Sequence, residues 1–239
     1  MGTYGGGLYQ FRQGRAFPVT GIPEKAKVYS LVEHKGNVYV GTESALYKLI
    51  ESQAHFLVQV PGNAWTLLSK GDTLFIGQRH QELMVLVKGK TFSLRSKRNI
   101  THMALDKKGG LWIASKTEGL SCVSDRTLVS FQNAYIRNIL CDSLPRYVAT
   151  WNQGVYYNEQ NIWRKIKGAP APATVLKQRG DTVFAGTWNN GVYLYKQGQL
   201  IDSLHTANSG IRDNHISDIA FDEKSIWFAT NRGFSRVLF

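Results

Sequence analysis

The fold of this chain is decided by residues 28–60, which read VYSLVEHKGNVYVGTESALYKLIESQAHFLVQV. This stretch divides into four segments, VYSLVEH, NVYVGT, ALYKLI and HFLVQV, each rich in Val, Tyr, Phe or Leu. Turn residues such as Lys35-Gly36-Asn37 separate them. Short runs of strand-forming residues bounded by turn residues predict four antiparallel strands.

The same pattern returns along the whole chain. Comparable segments begin at Val28, Ala64, Ile100, Ile136, Pro172 and Ile216, in steps of 36, 36, 36, 36 and 44 residues. Thirteen or fourteen residues later comes a small residue between strand formers: Gly41, Gly77, Ala114, Ala149, Gly186 and Ala229. Four short strands in each repeat of this length are typical of a β-propeller blade. The sequence therefore predicts an all-β fold, a β-propeller of about six four-stranded antiparallel blades.

The repeat boundaries predict one propeller domain over residues 1–239. Full blades are expected over about 26–60, 62–96, 98–132, 134–168 and 170–214, and partial blades over 1–24 and 215–239. The strands at the two ends could combine into a composite sixth blade, or the chain could be a fragment of a longer protein. We expect a six-bladed ring cut from a larger parent chain.

Charge and composition restrict the partners. The net charge of +12 would attract acidic glycans, phospholipid or nucleic acid. Alternatively, the basic residues keep exposed strand edges soluble and unpaired. They do not form one run with aromatic residues between them, so nucleic acid is not the expected partner. Much of the excess positive charge lies in two groups: Lys88, Lys90, Arg95, Lys97, Arg98, Lys107 and Lys108, and Arg164, Lys165, Lys167, Lys177 and Arg179.

Other features bear on the compartment. No apolar run approaches 18 residues, so no membrane span is expected, and the first residues, MGTYGGGLYQF, lack the regions of a secretory signal. Cys122 and Cys141 lie on predicted strands. We expect small buried hydrophobic residues there, with a disulfide or a reactive thiol as the alternative.

Candidate ligand-binding residues occur at two recurring positions. The first residue of the loop between strands 2 and 3 is Tyr4, Glu43, Arg79, Lys116, Trp151, Trp188 or Asn231. Aromatic faces there suit stacking on sugar rings, and the basic side chains could hold an anionic group. The third position of strand 1 is polar in every repeat: Ser30, Thr66, His102, Asn138, Thr174 and Asp218. Those side chains line a ligand site or satisfy backbone groups at the rim. Our candidate site consists of Tyr4, Arg79, Lys116, Trp151, Trp188, His102, Asn138 and Arg137.

The motifs that catalysis requires are missing from the sequence. It has no GxSxG, P-loop or HExxH pattern, and its six histidines show no metal-ligand spacing. Asp106, Asp142 and Asp222 recur at the end of strand 1, as expected of turn-forming aspartates. Trp112 and Trp227 lie on strand 2 and are expected in the core between blades. We predict no enzyme activity, catalytic residue, metal or cofactor.

Two segments resemble a known family. Residues 208–237, NSGIRDNHISDIAFDEKSIWFATNRGFSRV, are similar to the two-component regulator propeller repeat, with its N-x-G-(L/I) loop and W-(I/F)-(G/A)-T strand. Residues 100–123 match again through D-x-x-G-x-LWI. The resemblance implies the periplasmic or extracellular sensor part of a membrane-bound regulator of the kind common in Bacteroidetes-type bacteria. Neighbouring domains of that regulator, and a second copy of the chain, would then be its partners.

Three functions follow as hypotheses. The first is a non-catalytic sensor that binds a small molecule or oligosaccharide at Trp151 and Trp188. The second is a scaffold that binds protein or a polyanion through its basic edge. The third is a metal-dependent lyase of the streptogramin-lyase type, for which His102 would have to serve as the base.

Overall fold

The computed structural model describes residues 1–94, 99–124, 127–131 and 133–238. These residues divide into two compact units: unit 1 runs from Met1 to Met103, and unit 2 begins at Ala104. Arg95, Lys97 and Arg98 of the first basic group lie outside the described residues.

Unit 1 contains one two-stranded sheet and two four-stranded sheets. The first sheet pairs β1 (Tyr9–Arg12) with β2 (Arg15–Pro18). Blade I is formed by β3 (Val28–His34), β4 (Asn37–Thr42), β5 (Ala45–Ile50) and β6 (Gln53–Gln59). Blade II is formed by β7 (Ala64–Lys70), β8 (Thr73–Gln78), β9 (Leu83–Val87) and β10 (Lys90–Leu94).

The remaining sheets follow in the same order. Blade III consists of β11 (Ile100–Leu105), which spans the boundary between the units, and β12 (Leu111–Ser115), β13 (Gly119–Cys122) and β14 (Leu128–Val129). Blade IV consists of β15 (Ile136–Cys141), β16 (Pro145–Thr150), β17 (Gly154–Glu159) and β18 (Ile162–Lys165). Blade V consists of β19 (Ala173–Arg179), β20 (Thr182–Thr187), β21 (Val192–Lys196) and β22 (Gln199–Leu204). A three-stranded sheet contains β23 (Ile216–Phe221), β24 (Ser225–Thr230) and β25 (Gly233–Leu238).

In each of these sheets, strands that follow one another in the chain are neighbours, and the pairings that the structure describes are antiparallel. The predicted fold class, an all-β propeller of four-stranded antiparallel blades, is confirmed. The described residues form no helix with the length and apolar character that a membrane crossing needs. The cores of both units lie between successive sheets. Leu46 of blade I packs with Ala64 of blade II in unit 1, and Leu120 of blade III packs in one cluster with Ile136 of blade IV in unit 2.

The small residue near the end of strand 2 has a steric cause. A Cβ added to Gly41 would come within 2.6 Å of the Ala64 carbonyl oxygen, and one added to Gly186 would come within 2.7 Å of Ile216 Cγ2. Ala64 and Ile216 each begin strand 1 of the following sheet. The recurring glycine therefore lets successive sheets approach closely.

The strand register changes one repeat boundary. In four sheets the first residue of strand 1 pairs with the last residue of strand 2; these first residues are Val28, Ala64, Ile136 and Ile216. In blade V the last residue of strand 2 is Thr187, and it pairs with Ala173. The predicted start at Pro172 is therefore one residue too early. Val175, which pairs with Gly186, occupies the third position of that strand. The prediction that Thr174 stands there, and that this position is polar in every repeat, is wrong.

Candidate functional site

The loop between strands 2 and 3 is closed by a threonine hydroxyl. Thr187 Oγ1 donates to the Gly191 carbonyl oxygen at 2.8 Å and accepts from the Asn190 N–H at 2.9 Å. Equivalent bonds are made by Thr3, Thr42, Thr150 and Thr230. Because both loop ends bond to one side chain, the residue after the threonine is held in a defined place.

A β-bulge at the start of strand 1 provides the facing side chains. The register shifts between the first and third residues of β3, β7, β15, β19 and β23. The extra residue in each is Tyr29, Trp65, Arg137, Thr174 or Ser217. A bulge re-aims the side chain of its extra residue. In three repeats that side chain contacts a residue from the predicted loop position.

In unit 1 these residues form what we call the unit 1 group: Tyr4, Lys27, Tyr29, Trp65 and Arg79. The Tyr29 ring lies 4.7 Å from the Trp65 ring and 5.9 Å from that of Tyr4. The Arg79 guanidinium carbon lies 3.7 Å from the Trp65 ring centroid, a close cation–π contact. Lys27 Nζ lies 5.0 Å from the Tyr4 centroid. Tyr4 is 73% exposed, so the group has one face open to solvent.

In unit 2 a second set, the unit 2 row, contains Arg137, Trp151, Trp188 and His215. The Trp151 and Trp188 rings meet edge to face, with centroids 5.0 Å apart. The Arg137 guanidinium carbon lies 5.4 Å from the Trp151 centroid. The His215 ring lies 3.9 Å from the Trp188 ring. The two indole rings are thus in edge-to-face contact. The Arg137 guanidinium lies next to Trp151, and the His215 imidazole lies next to Trp188.

Backbone bonds fix the two tryptophans. Trp151 N donates to the Tyr135 carbonyl oxygen at 2.8 Å, and Trp188 N donates to that of Pro172 at 3.0 Å. Trp188 remains 40% exposed while Trp151 is half-buried. His215 is buried, and this burial lowers its pKa even though Asp213 acts in the opposite direction. The imidazole is therefore neutral at pH 7 and can both donate and accept a hydrogen bond.

The other predicted site residues are Lys116, Asn138 and His102. Lys116 Nζ lies 5.4 Å from the ring centroid of Tyr135, which is exposed. Asn138 is 8% exposed, and its Oδ1 is buried with no hydrogen-bond partner among the described residues. His102 is half-buried in β11. The described residues contain no group of three His, Cys, Asp or Glu side chains that could hold a metal ion.

Polar side chains at the start of strand 1 connect successive sheets. Ser30 Oγ donates to the Ala64 carbonyl oxygen at 2.9 Å, and Thr174 Oγ1 donates to that of Ile216 at 2.6 Å. At these two residues the alternative that they satisfy backbone groups is confirmed.

The recurring aspartates form turns at the other end of strand 1. Asp106 Oδ1 accepts from the N–H groups of Lys108 and Gly110, and its Oδ2 accepts from Trp112 Nε1 at 2.9 Å. Burial alone would raise the pKa of Asp106, but these hydrogen bonds outweigh it and the pKa is lowered. Asp222 bonds Trp227 in the same way, whereas Asp142 is paired with Lys107. Trp112 is buried as predicted, but Trp227 is only half-buried, beside the Arg236 guanidinium.

Both cysteines are free thiols. Cys122 is buried, whereas Cys141 is half-buried. Burial, together with the charges of Asp106 and Cys122, raises the pKa of Cys141 to about 12. A thiol with that pKa is protonated at neutral pH, which agrees with the expected role of a small hydrophobic residue.

Sequence reasoning missed Tyr29, Trp65 and His215. The signal for the first two was present, because each directly precedes the polar third position of strand 1. Recognising it would have required knowledge of the bulge. His215 directly precedes β23, and only the packing of its ring on Trp188 identifies it.

Comparisons with known proteins show the fold. No protein-family model matches the chain, and no curated protein matches it in sequence. Among solved structures it is similar to the extracellular domain of BT4673 from B. thetaiotaomicron, described as a one-component or a hybrid two-component system. The TM-score is 0.69 at 17% identity, over 98% of this chain and 36% of that domain in one of its structures. This chain therefore spans about a third of that domain.

Two structures of other origin are also similar. The WD40 β-propeller domain of Doa1 has a TM-score of 0.76 at 10% identity, covering all of this chain and 88% of that one. The computationally designed protein Ika8 has a TM-score of 0.71 at 13% identity, covering all of this chain and 79% of that one. At these identities the likeness concerns the fold alone.

Proposed function

We propose that this chain is a non-catalytic, ligand-binding propeller that acts as the sensor part of a signal-transduction regulator and takes an oligosaccharide at the unit 2 row. The observation that carries the proposal is the pair of tryptophans, Trp151 and Trp188, held side by side between Arg137 and His215. The similarity to the extracellular domain of BT4673 supports the sensor role.

The chemistry of the row suits a sugar. The C–H face of a pyranose ring stacks on an indole, and two indoles set at 66° to each other offer faces to two parts of one ligand. The neutral His215 imidazole can exchange hydrogen bonds with hydroxyl groups. Arg137 lies beside Trp151, where a carboxylate or sulfate on the sugar would find a charge-assisted partner.

The proposed setting is periplasmic or extracellular. In that setting the other domains of the regulator would be the partners of the propeller, and a second copy of the chain could join them. The resemblance of residues 208–237 to the two-component regulator propeller repeat supports this setting as well.

The test is a glycan-array screen followed by calorimetry. Replacing both Trp151 and Trp188 by Ala is expected to lower the affinity for the best glycan about 5- to 150-fold, because each stacked ring contributes about 0.5–1.5 kcal/mol. The control is Phe92→Ala, which removes an aromatic ring that is 55% exposed on β10 and should leave binding unchanged. Binding that survives the double substitution would exclude the unit 2 row as the site.

A polyanion-binding scaffold is the second candidate, and the net charge of +12 favours it. The two functions differ in their response to salt. Binding of a polyanion should weaken steeply between about 50 and 200 mM salt, since counterions are released when it binds. Stacking of a neutral sugar on Trp151 and Trp188 should change little over that range.

A further inference from the structure

A pocket in unit 2 lies away from the unit 2 row, at the strands of blades III and IV. Its volume is about 530 Å³, within the usual range for small-molecule sites. The wall is mainly apolar: Trp112, Leu128, Leu144, Pro145 and Trp163 contribute to it. Asn158 supplies an amide to this wall.

Both indoles of the pocket are held in place. Trp112 donates its Nε1–H to Asp106, and that carboxylate is itself fixed by two backbone N–H groups. Trp163 meets the Phe131 ring edge to face, with centroids 5.0 Å apart. Rigid aromatic walls lower the entropy cost of binding a flat ligand.

Asn158 departs from the repeat at its position. Strand register aligns it with Leu49, Leu86, Val123, Tyr195 and Val237, none of which carries an amide or a charge. The other sheets therefore form with an apolar or aromatic side chain at this position. Fold stability alone does not call for an amide here.

The hydrogen bonding of Asn158 leaves an acceptor unused. Its Nδ2 donates to the Pro145 carbonyl oxygen at 3.0 Å, which sets the orientation of the amide. Its Oδ1 is shielded from water and has no hydrogen-bond partner among the described residues. A buried acceptor without a partner destabilises the fold. A donor brought into the pocket by a ligand would remove that cost.

We propose that this pocket binds a flat, mainly apolar molecule, a fused aromatic heterocycle that carries an N–H donor. Its ring lies against Trp112 and Trp163, and its N–H bonds Asn158 Oδ1 after a small turn of the amide. This site is separate from the proposed glycan site, and neither proposal depends on the other.

The test uses two probes of nearly the same shape, β-carboline and 9-methyl-β-carboline, of which only the first has the ring N–H. Each probe is titrated with the full chain, and binding is measured by ligand-observed NMR. We expect β-carboline to bind about tenfold more tightly, because it gains one hydrogen bond. In Asn158→Leu this preference should vanish. The melting temperature of that variant should rise by about 2–4 °C, because an amide whose Oδ1 has no hydrogen-bond partner among the described residues is replaced by a side chain of the type found in other blades.

A pair of matched variants locates the binding. Leu128 is 53% exposed at the pocket, and Leu200 is 46% exposed on β22 of blade V. Leu128→Glu should abolish binding of both probes, and Leu200→Glu should leave it unchanged. No saturable binding to the wild-type chain, equal affinities for the two probes, or an unchanged preference in Asn158→Leu would each overturn the proposal.

Discussion

The unit 1 group and the unit 2 row use the same two backbone positions with their chemistry exchanged. In unit 1 the bulge of strand 1 supplies the aromatic ring, Trp65, and the loop supplies the cation, Arg79. In unit 2 the bulge supplies the cation, Arg137, and the loop supplies the ring, Trp151. The repeat therefore determines where two side chains meet and leaves open which of them is aromatic.

The exchange has a consequence for exposure. Arg79 lies 3.7 Å from the Trp65 centroid and covers that ring, whereas Arg137 lies 5.4 Å from the Trp151 centroid. Trp188, at the same loop position in blade V, is 40% exposed. Tyr4 in unit 1 is more exposed still, at 73%, but the unit 2 row brings two indole rings together. We assign the ligand to the unit 2 row because of this pair and because its cation lies farther from the ring.

The largest expected effect comes from breaking the loop that presents Trp188. Gly191 has a φ of +73°, and an added Cβ would lie 2.1 Å from the Leu204 carbonyl oxygen. Gly191→Ala should destabilise the fold by about 3 kcal/mol and displace the loop. Chemical denaturation measures the first effect, and glycan titration measures the second.

The matched control is Gly233→Ala. Gly233 also has a left-handed φ, +94°, but an added Cβ would meet nothing within 4 Å. Only the backbone term of about 1 kcal/mol is expected there. Equal losses in the two variants would show that the contact with Leu204 is unimportant.

A smaller effect is expected from the two cation–π pairs, in which the bulge and loop positions exchange the cation and the ring. Double-mutant cycles with Arg79→Met and Trp65→Leu, and with Arg137→Met and Trp151→Leu, isolate each cation–π pair. We expect a coupling of about 1–2 kcal/mol for the closer pair in unit 1 and about 0.5 kcal/mol for the pair in unit 2. A larger coupling in unit 2 would contradict the view that Arg137 leaves Trp151 available to a ligand.

The smallest effect is a pH dependence that involves the unit 2 row. Burial lowers the pKa of His215 below its usual value of 6.5, so the unfolded chain binds a proton at this residue more readily than the folded chain does. Its contribution to stability is therefore complete above about pH 6.5 and is lost as the pH falls through the folded pKa. The melting temperature should fall from pH 7 to pH 5, and less so in His215→Asn.

His34 in unit 1 is the comparison for this measurement. Burial, with the charge of Lys35, lowers its pKa as well, and its Nδ1 lies 2.8 Å from Ser69 Oγ. His34→Asn should also make the melting temperature fall less between pH 7 and pH 5. That difference measures the contribution of the histidine in unit 1. If neither substitution alters the pH profile, the histidines are not its cause.

Much of the candidate site could be predicted from the sequence. The loop position after the Gly/Ala-Thr pair was recognised, and the structure brings Tyr4, Arg79, Trp151 and Trp188 into ring contacts there. The partners Tyr29 and Trp65 were not predicted, because a bulge adds one residue to a strand without changing the hydrophobic pattern on either side. Thr174 is predicted at the third position of its strand only because counting from Pro172 starts the strand one residue too early.

The sequence by itself determined the repeat, the strands and the fold class, since a period of about 36 residues and the alternation of strand formers with turn residues depend only on the chain. Tertiary structure alone decided which side chains meet, because contacts such as those of Trp188 with His215 and of Trp112 with Asp106 depend on register and packing. The pocket at Asn158 belongs to this second class. In the sequence Asn158 is an ordinary strand residue, and only the packing shows that its Oδ1 is buried with no hydrogen-bond partner in the described part of the chain.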